Sequence, residues 1–138
     1  MIKELVLDAE LLSTPCEPGT AADADVAQDL VDTLASIEDA GCLAANQIGV
    51  TKAIIAYEDD KGVHVMFNPK VMVGLSAYKA TENCLTNRAE SKVTRFNKIK
   101  VSSEELVDGE LRPHRRDFTG WVAQMIQHMC DHCKGKLV

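Results

Sequence analysis

His128 and His132 stand four residues apart in a segment whose apolar pattern predicts a helix. That spacing stacks both side chains on one helix face, where two imidazoles can reach one divalent metal ion. Ordinary helix surfaces also carry such pairs, so a third donor is needed before the pair becomes a metal site with one position left open for chemistry. Cys42, Cys84 and Cys130 come into question. At about 100° per residue, Cys130 projects about 180° from the direction that the two histidines bracket, which removes it. Cys133 is also well off that direction, and the Cys130-x-x-Cys133 pair reads as small core or boundary residues. Cys42 and Cys84 both follow predicted turns and could each be aimed at the helix.

The helix that would carry the histidines is predicted from about Gly120 to Lys134. Val122, Met125, Ile126 and Met129 form its apolar faces, and Gly135 is its stop signal. A second helix should follow Thr20, a fair N-cap. Asp23 and Asp25 suit its positive end, Val26, Leu30, Leu34 and Ile37 share a face, and Gly41 should mark its end. The first 19 residues read as extended and irregular, with Pro15 and Pro18 blocking a helix. The middle of the chain reads as short strands. Ala53–Tyr57 and Val63–Phe67 flank a turn at Glu58–Gly62, and Asn68-Pro69 forces an extended turn before Lys70–Val73. Lys92–Phe96 and Ile99–Ser102 follow, then a hairpin at Asp108-Gly109 joins Glu105–Val107 to Glu110–His114. Helix, many antiparallel strands and helix, in that order, predict an α+β fold.

The chain has 138 residues, enough for one domain spanning 1–138. Its 46% hydrophobic and 26% charged residues are those of a soluble globular protein, and with 4% aromatics the core must be aliphatic. A net charge of −6 argues against a general nucleic-acid binder. The cluster Arg112, His114, Arg115 and Arg116 reads as a solvated strand end. No apolar run is long enough to cross a bilayer, and the start MIKELVLDAELL lacks a signal-peptide core, so a cytoplasmic location is expected. Five cysteines in that setting suggest thiols rather than a disulfide framework.

Three segments, in order, resemble the signature motifs of the peptide deformylases. Gly41-Cys42-Leu43-Ala44-Ala45-Asn46-Gln47 is similar to G-x-G-L-A-A-x-Q, Glu82-Asn83-Cys84-Leu85-Thr86 to E-G-C-L-S, and Gln127-His128-Met129-Cys130-Asp131-His132 to Q-H-E-x-D-H. Each motif alone is weak; three in this order and spacing are specific. The resemblance implies antiparallel β-sheets packed around a central C-terminal metal-binding helix, with an N-terminal helix. It implies Cys84, His128 and His132 as ligands of one Fe²⁺ ion, for which Zn²⁺ or Ni²⁺ can substitute. Gln47 and the backbone N–H of Leu85 would donate to the oxyanion formed at a formyl carbonyl. Glu82 would orient ligands, and Asp131 would pair with Arg95. Gly41, Cys42, Leu43, Trp121 and Met125 would line the pocket for a methionine side chain. The activity implied is removal of the formyl group from N-terminal formylmethionine, a co-translational step of protein biosynthesis on ribosome-associated nascent chains.

Some positions depart from the family pattern. Met129 stands where the family has the glutamate that takes a proton from the attacking water and later gives it to the leaving amine. A thioether has no exchangeable proton and is barely basic. Cys42 and Asn83 replace glycines, Ser91 stands where arginine is frequent, and Thr86 replaces serine conservatively. Two functions therefore compete: a deformylase with weakened turnover, and a deformylase-like pseudoenzyme that binds metal and a methionine or formylmethionine N-terminus without turnover.

Overall fold

The computed structural model describes the backbone of residues 1–138 and the side chains of all but residues 87 and 88. Its helices are α1 (Ala9–Leu12), α2 (Ala24–Ser36) and α3 (Gly120–Cys133). Its strands are β1 (Cys42–Ala44), β2 (Ile54–Asp59), β3 (Gly62–Cys84), β4 (Asn87–Val107) and β5 (Glu110–Thr119). The five strands form one antiparallel sheet in the order β1-β2-β3-β4-β5.

The sheet lies between two helices, and the strand sequences record it. Ile54, Ile55, Ala56 and Tyr57 are all buried, an uninterrupted apolar run such as a strand covered on both faces requires. Alternate residues then divide between two cores. Ile55 and Tyr57 join Met66, Ile99, Val101 and Phe118 against Ala123, Ile126 and Met129 of α3. Ile54 and Ala56 join Leu43, Ile48 and Phe67 against Ala27, Leu30 and Leu34 of α2.

The helix ends follow local chemistry. Thr20 caps a 3-10 turn at Ala21–Asp23 that leads into α2: its hydroxyl accepts from Ala22 N–H, and its own backbone N–H donates to the Asp23 carboxylate at 2.8 Å. α2 ends at Ser36, five residues before Gly41, because Ile37 turns extended. α3 closes in a Schellman arrangement: Gly135 N–H donates to His132 O at 3.0 Å and Lys136 N–H to Asp131 O at 3.0 Å. Gly135 sits at φ +80°, and a Cβ there would come within 2.6 Å of Ser13 O.

Three expectations need correction. The short strands expected at Val63–Phe67 and Lys70–Val73 are one strand, β3, and those at Lys92–Phe96, Ile99–Ser102 and Glu105–Val107 are one strand, β4. Asn68-Pro69 makes a bulge instead of a turn, in the register shift between Phe67 and Lys70. Asn68 takes φ +52° there, and its amide bonds Gly19 N–H, Gly19 O and Glu104, which holds the irregularity in place. The N-terminal segment contains the one-turn helix α1, capped by the Asp8 carboxylate on Glu10 N–H, with Leu12 buried. One turn is too short for any periodicity to reveal.

Candidate metal centre

The site forms where the tip of the β3–β4 hairpin meets α3. Cys84 is the last residue of β3, and Leu85-Thr86 make the turn to β4. A second register shift, between Glu82 and Cys84, re-aims this end of the strand. His128 and His132 lie on α3, both buried, with ring centroids 5.0 Å apart. The ligand-type atoms of Cys84, His128 and His132 all lie within 4.8 Å of one another. Cys84 Sγ is 3.2 Å from His132 Nε2. Donors on a tetrahedral ion at about 2.0–2.3 Å stand about 3.3–3.7 Å apart, so the spacing and the thiolate–imidazole donor set both fit a metal ion.

A buried ionic network orients the histidine. His128 Nδ1 is 2.7 Å from Glu82 Oε1, which leaves Nε2 for the metal. Arg95, only 4% exposed, grips Glu82 with Nε and Nη2 at 2.7–3.2 Å and donates from Nη1 to Asp131 Oδ2 at 2.7 Å. Gln124 Nε2 donates to Glu82 Oε2 at 2.8 Å. Burial would raise the Glu82 carboxyl, but hydrogen bonds from His128, Arg95 and Gln124 outweigh it and hold the group down at about 2. Burial would also raise the Cys84 thiol, yet His128 and His132 hold it down at about 5. His128 is the counterpart: burial works against its charge, but Cys84 and Glu82 lift it to about 9.

Gln47 sits on a 3-10 turn, Ala45–Ile48, that directly follows β1. Its Oε1 accepts from Ala44 N–H at 2.9 Å, and its Nε2 donates to Cys84 Sγ at 3.2 Å and Thr86 Oγ1 at 3.1 Å. Gln47 is 1% exposed, so these bonds are shielded from solvent.

A cavity of about 410 Å³ opens over these residues. Gly41, Cys42, Leu85, Trp121, Met125 and Met129 all line it. Trp121 is 67% exposed, at the mouth and not in the core. Leu43, expected in the pocket, is not there. It is fully buried on the α2 side, because a strand that turns Cys42 toward the cavity turns Leu43 the other way. Met129 is 1% exposed. Cys130 and Cys133 do not line the cavity; Cys130 packs in the core, and burial pushes its thiol up to about 12. Asp131 does not line it either, being held by Arg95. Sequence reasoning missed Gln124, although it stands one helical turn before His128 on the same face, a signal that was there to use. It also missed the role of Thr86 as an anchor for Gln47.

The family model for polypeptide deformylases matches residues 2–138. The chain is 34% identical to a peptide deformylase of Clostridium beijerinckii over 139 aligned positions, covering 100% of both chains. It is 31% identical to peptide deformylase 1 of Bacillus subtilis, covering 94% of this chain and 82% of that one. Its fold is similar to the crystal structure of a peptide deformylase from Legionella pneumophila, with a TM-score of 0.84 and 28% identity over 99% of this chain and 83% of that one. Full-length sequence similarity, a shared α+β architecture and a Cys/His/His cluster agree, and the chain belongs to the polypeptide deformylase family.

Proposed function

We propose that the chain is a peptide deformylase-type metallohydrolase that removes the formyl group from N-terminal formylmethionine, with turnover held back at Met129. The observation that carries this reading is the convergence of Cys84, His128 and His132 donors within 4.8 Å at a cavity that also holds Gln47 and Leu85. Fe²⁺ is the ion that family resemblance implies, with Zn²⁺ or Ni²⁺ as substitutes. A bound divalent cation would polarise the formyl carbonyl and acidify the attacking water.

The chain's own residues do the rest. Glu82, fixed by Arg95 and Gln124, sets the His128 ring and keeps Nδ1 occupied. Gln47 is held by Ala44 N–H on its Oε1 and by Thr86 on its Nε2, so the second N–H, which points at Cys84 Sγ, and the Leu85 backbone N–H would be the donors that turn to the developing oxyanion. The methionine side chain would lie against Met125 and Trp121, with the peptide passing Gly41 and Cys42. Proton transfer is the weak step. Met129 cannot carry a proton, Glu82 has both oxygens engaged, and Asp131 is held by Arg95. Nascent chains at the ribosome are the proposed source of substrate, in the cytoplasm.

Met129 also favours a second reading, a protein that binds metal and a formylmethionyl or methionyl N-terminus without turnover. Formate release from a formyl-Met peptide, measured with metal content, separates the two. The hydrolase reading expects slow, metal-dependent release that Cys84→Ala abolishes. Peptide binding with stoichiometric metal and no release would establish the second reading, and absence of both release and binding would sink both.

A further inference from the structure

We propose that Gln124 is a positioning residue of the metal centre: its amide, anchored by Tyr78, fixes the Glu82 carboxylate and through it the His128 ring. The proposal rests on the reading of Cys84, His128 and His132 as ligands, and it deepens that reading by saying what keeps them aligned.

Glu82 is the clasp between strand and helix. It stands two residues before Cys84 on β3, so its place bears on where the thiol end of the strand comes to rest. Its Oε1 accepts from Arg95 Nη2 at 2.7 Å and faces His128 Nδ1 at 2.7 Å. Its Oε2 accepts from Arg95 Nε at 3.0 Å and from Gln124 Nε2 at 2.8 Å. Arg95 lies on β4, so its fork on Glu82 ties the hairpin to itself, and it reaches α3 through Asp131, beyond His128. Among the described residues, the direct bonds from α3 to Glu82 come from Gln124 and His128, one helical turn apart on the same face. His128 is the group to be held. Gln124 is therefore the helix's independent hold on the carboxylate.

The Gln124 amide is itself oriented. An ionised carboxylate only accepts, so an N–H must face Glu82 and Oε1 must face the other way. There it accepts from the Tyr78 hydroxyl at 3.3 Å. Tyr78 is half-buried on β3 and does not line the cavity, whereas Gln124 lines it beside Trp121 and Met125. The chain Tyr78, Gln124, Glu82, His128 thus starts outside the pocket and ends at a metal ligand, and one side chain serves both the pocket wall and the clasp.

The test uses the full chain, freed of metal by chelation. Zn(II) affinity is read by competition with a chromogenic zinc chelator, and Co(II) loading gives visible bands that report ligand geometry. Gln124→Leu removes the N–H with a side chain of similar reach. Gln124→Glu keeps the shape but sets a carboxylate against a carboxylate. Tyr78→Phe removes the anchoring hydroxyl without touching the cavity wall. Losing an outer partner of a metal ligand costs about 10–100-fold in metal affinity. Zn(II) binding should weaken about tenfold in Gln124→Leu, the low end because Arg95 remains, and further in Gln124→Glu. Tyr78→Phe should weaken it in the same direction by less, and the Co(II) bands should shift in Gln124→Leu. Circular dichroism and urea midpoints of the metal-free variants check folding; if Gln124→Glu does not fold, Gln124→Leu and Tyr78→Phe decide. A lowered urea midpoint with unchanged Zn(II) affinity and Co(II) bands would make Gln124 merely structural and overturn the proposal. Weakened binding of a methionyl peptide with both metal readouts unchanged would make it merely a pocket wall, and would overturn it too. Retention of Zn(II) by Cys84→Ala is a different failure, because it would overturn the ligand reading itself.

Discussion

Met129→Glu should convert a slow or silent site into a fast one. Position 129 lies beside His128, lines the cavity and is 1% exposed, so a carboxylate there enters the site and not solvent. Positioned proton transfer contributes about 10²–10⁴-fold to rate. At about 1.4 kcal/mol per decade, that is about 3–5 kcal/mol of barrier. Glutamate nearly matches methionine in length, so the swap opens no large hole in the core of Ile55, Ile126 and Phe118. Its cost is desolvation: a buried polar group left without a partner costs about 1–3 kcal/mol. The same desolvation raises the new carboxyl toward neutrality, which suits a group that must take and return a proton. The assay is formate release from a formyl-Met peptide, with both proteins loaded with the same ion and metal content measured. The expected gain is about 10²–10⁴-fold in kcat with little change in KM. A gain below about tenfold, or about 1.4 kcal/mol, at equal metal occupancy would refute the reasoning and place the deficit elsewhere, at Cys42 in the cleft or at Ser91 opposite Glu82 on β4.

Two further outcomes follow from the ionic network. Arg95→Met leaves Glu82 and Asp131 without their shared buried cation, and it should destabilise the protein by about 3–5 kcal/mol, read as a lowered urea midpoint. Its metal affinity should also fall, since Glu82 would no longer be held against His128. The metal-free protein should lose stability in acid. Cys84 is lowered from 9.0 to about 5 and Glu82 from 4.5 to about 2, so what they contribute is present at high pH and lost as pH falls through those lower values. His128 is raised from 6.5 to about 9, so its contribution is full below 6.5 and lost as pH rises through 9. The Cys84 gain and the His128 loss offset each other between 6.5 and 9. Urea midpoints should therefore be flat in that window and fall below it; a midpoint that rises toward pH 5 would contradict this.

The α+β class was legible because it depends on local patterns. The apolar face of Leu30 and Leu34, the Thr20 cap, the Asp108-Gly109 turn and the Gly135 stop each act within a few residues. Strand lengths were not legible. Asn68-Pro69 carries the same local signal whether it ends a strand or bulges it, and the Asn68 bonds to Gly19 and Glu104, remote in sequence, decide between the two.

The metal centre divides in the same way. Sequence by itself determined that His128 and His132 share a face and that Cys130 does not, because helical geometry is local. The order of three motifs singled out Cys84 and exposed Met129 as the anomaly. Only the tertiary structure decided what the pocket is made of. It brought Gln47 onto Cys84 across 37 residues and Glu82 onto His128 across 46. It sent Leu43 to the other core, and it closed the walls with sulfur. Those contacts depend on where the β3–β4 tip comes to rest on α3, which follows from packing on both faces of the sheet and which no local pattern encodes.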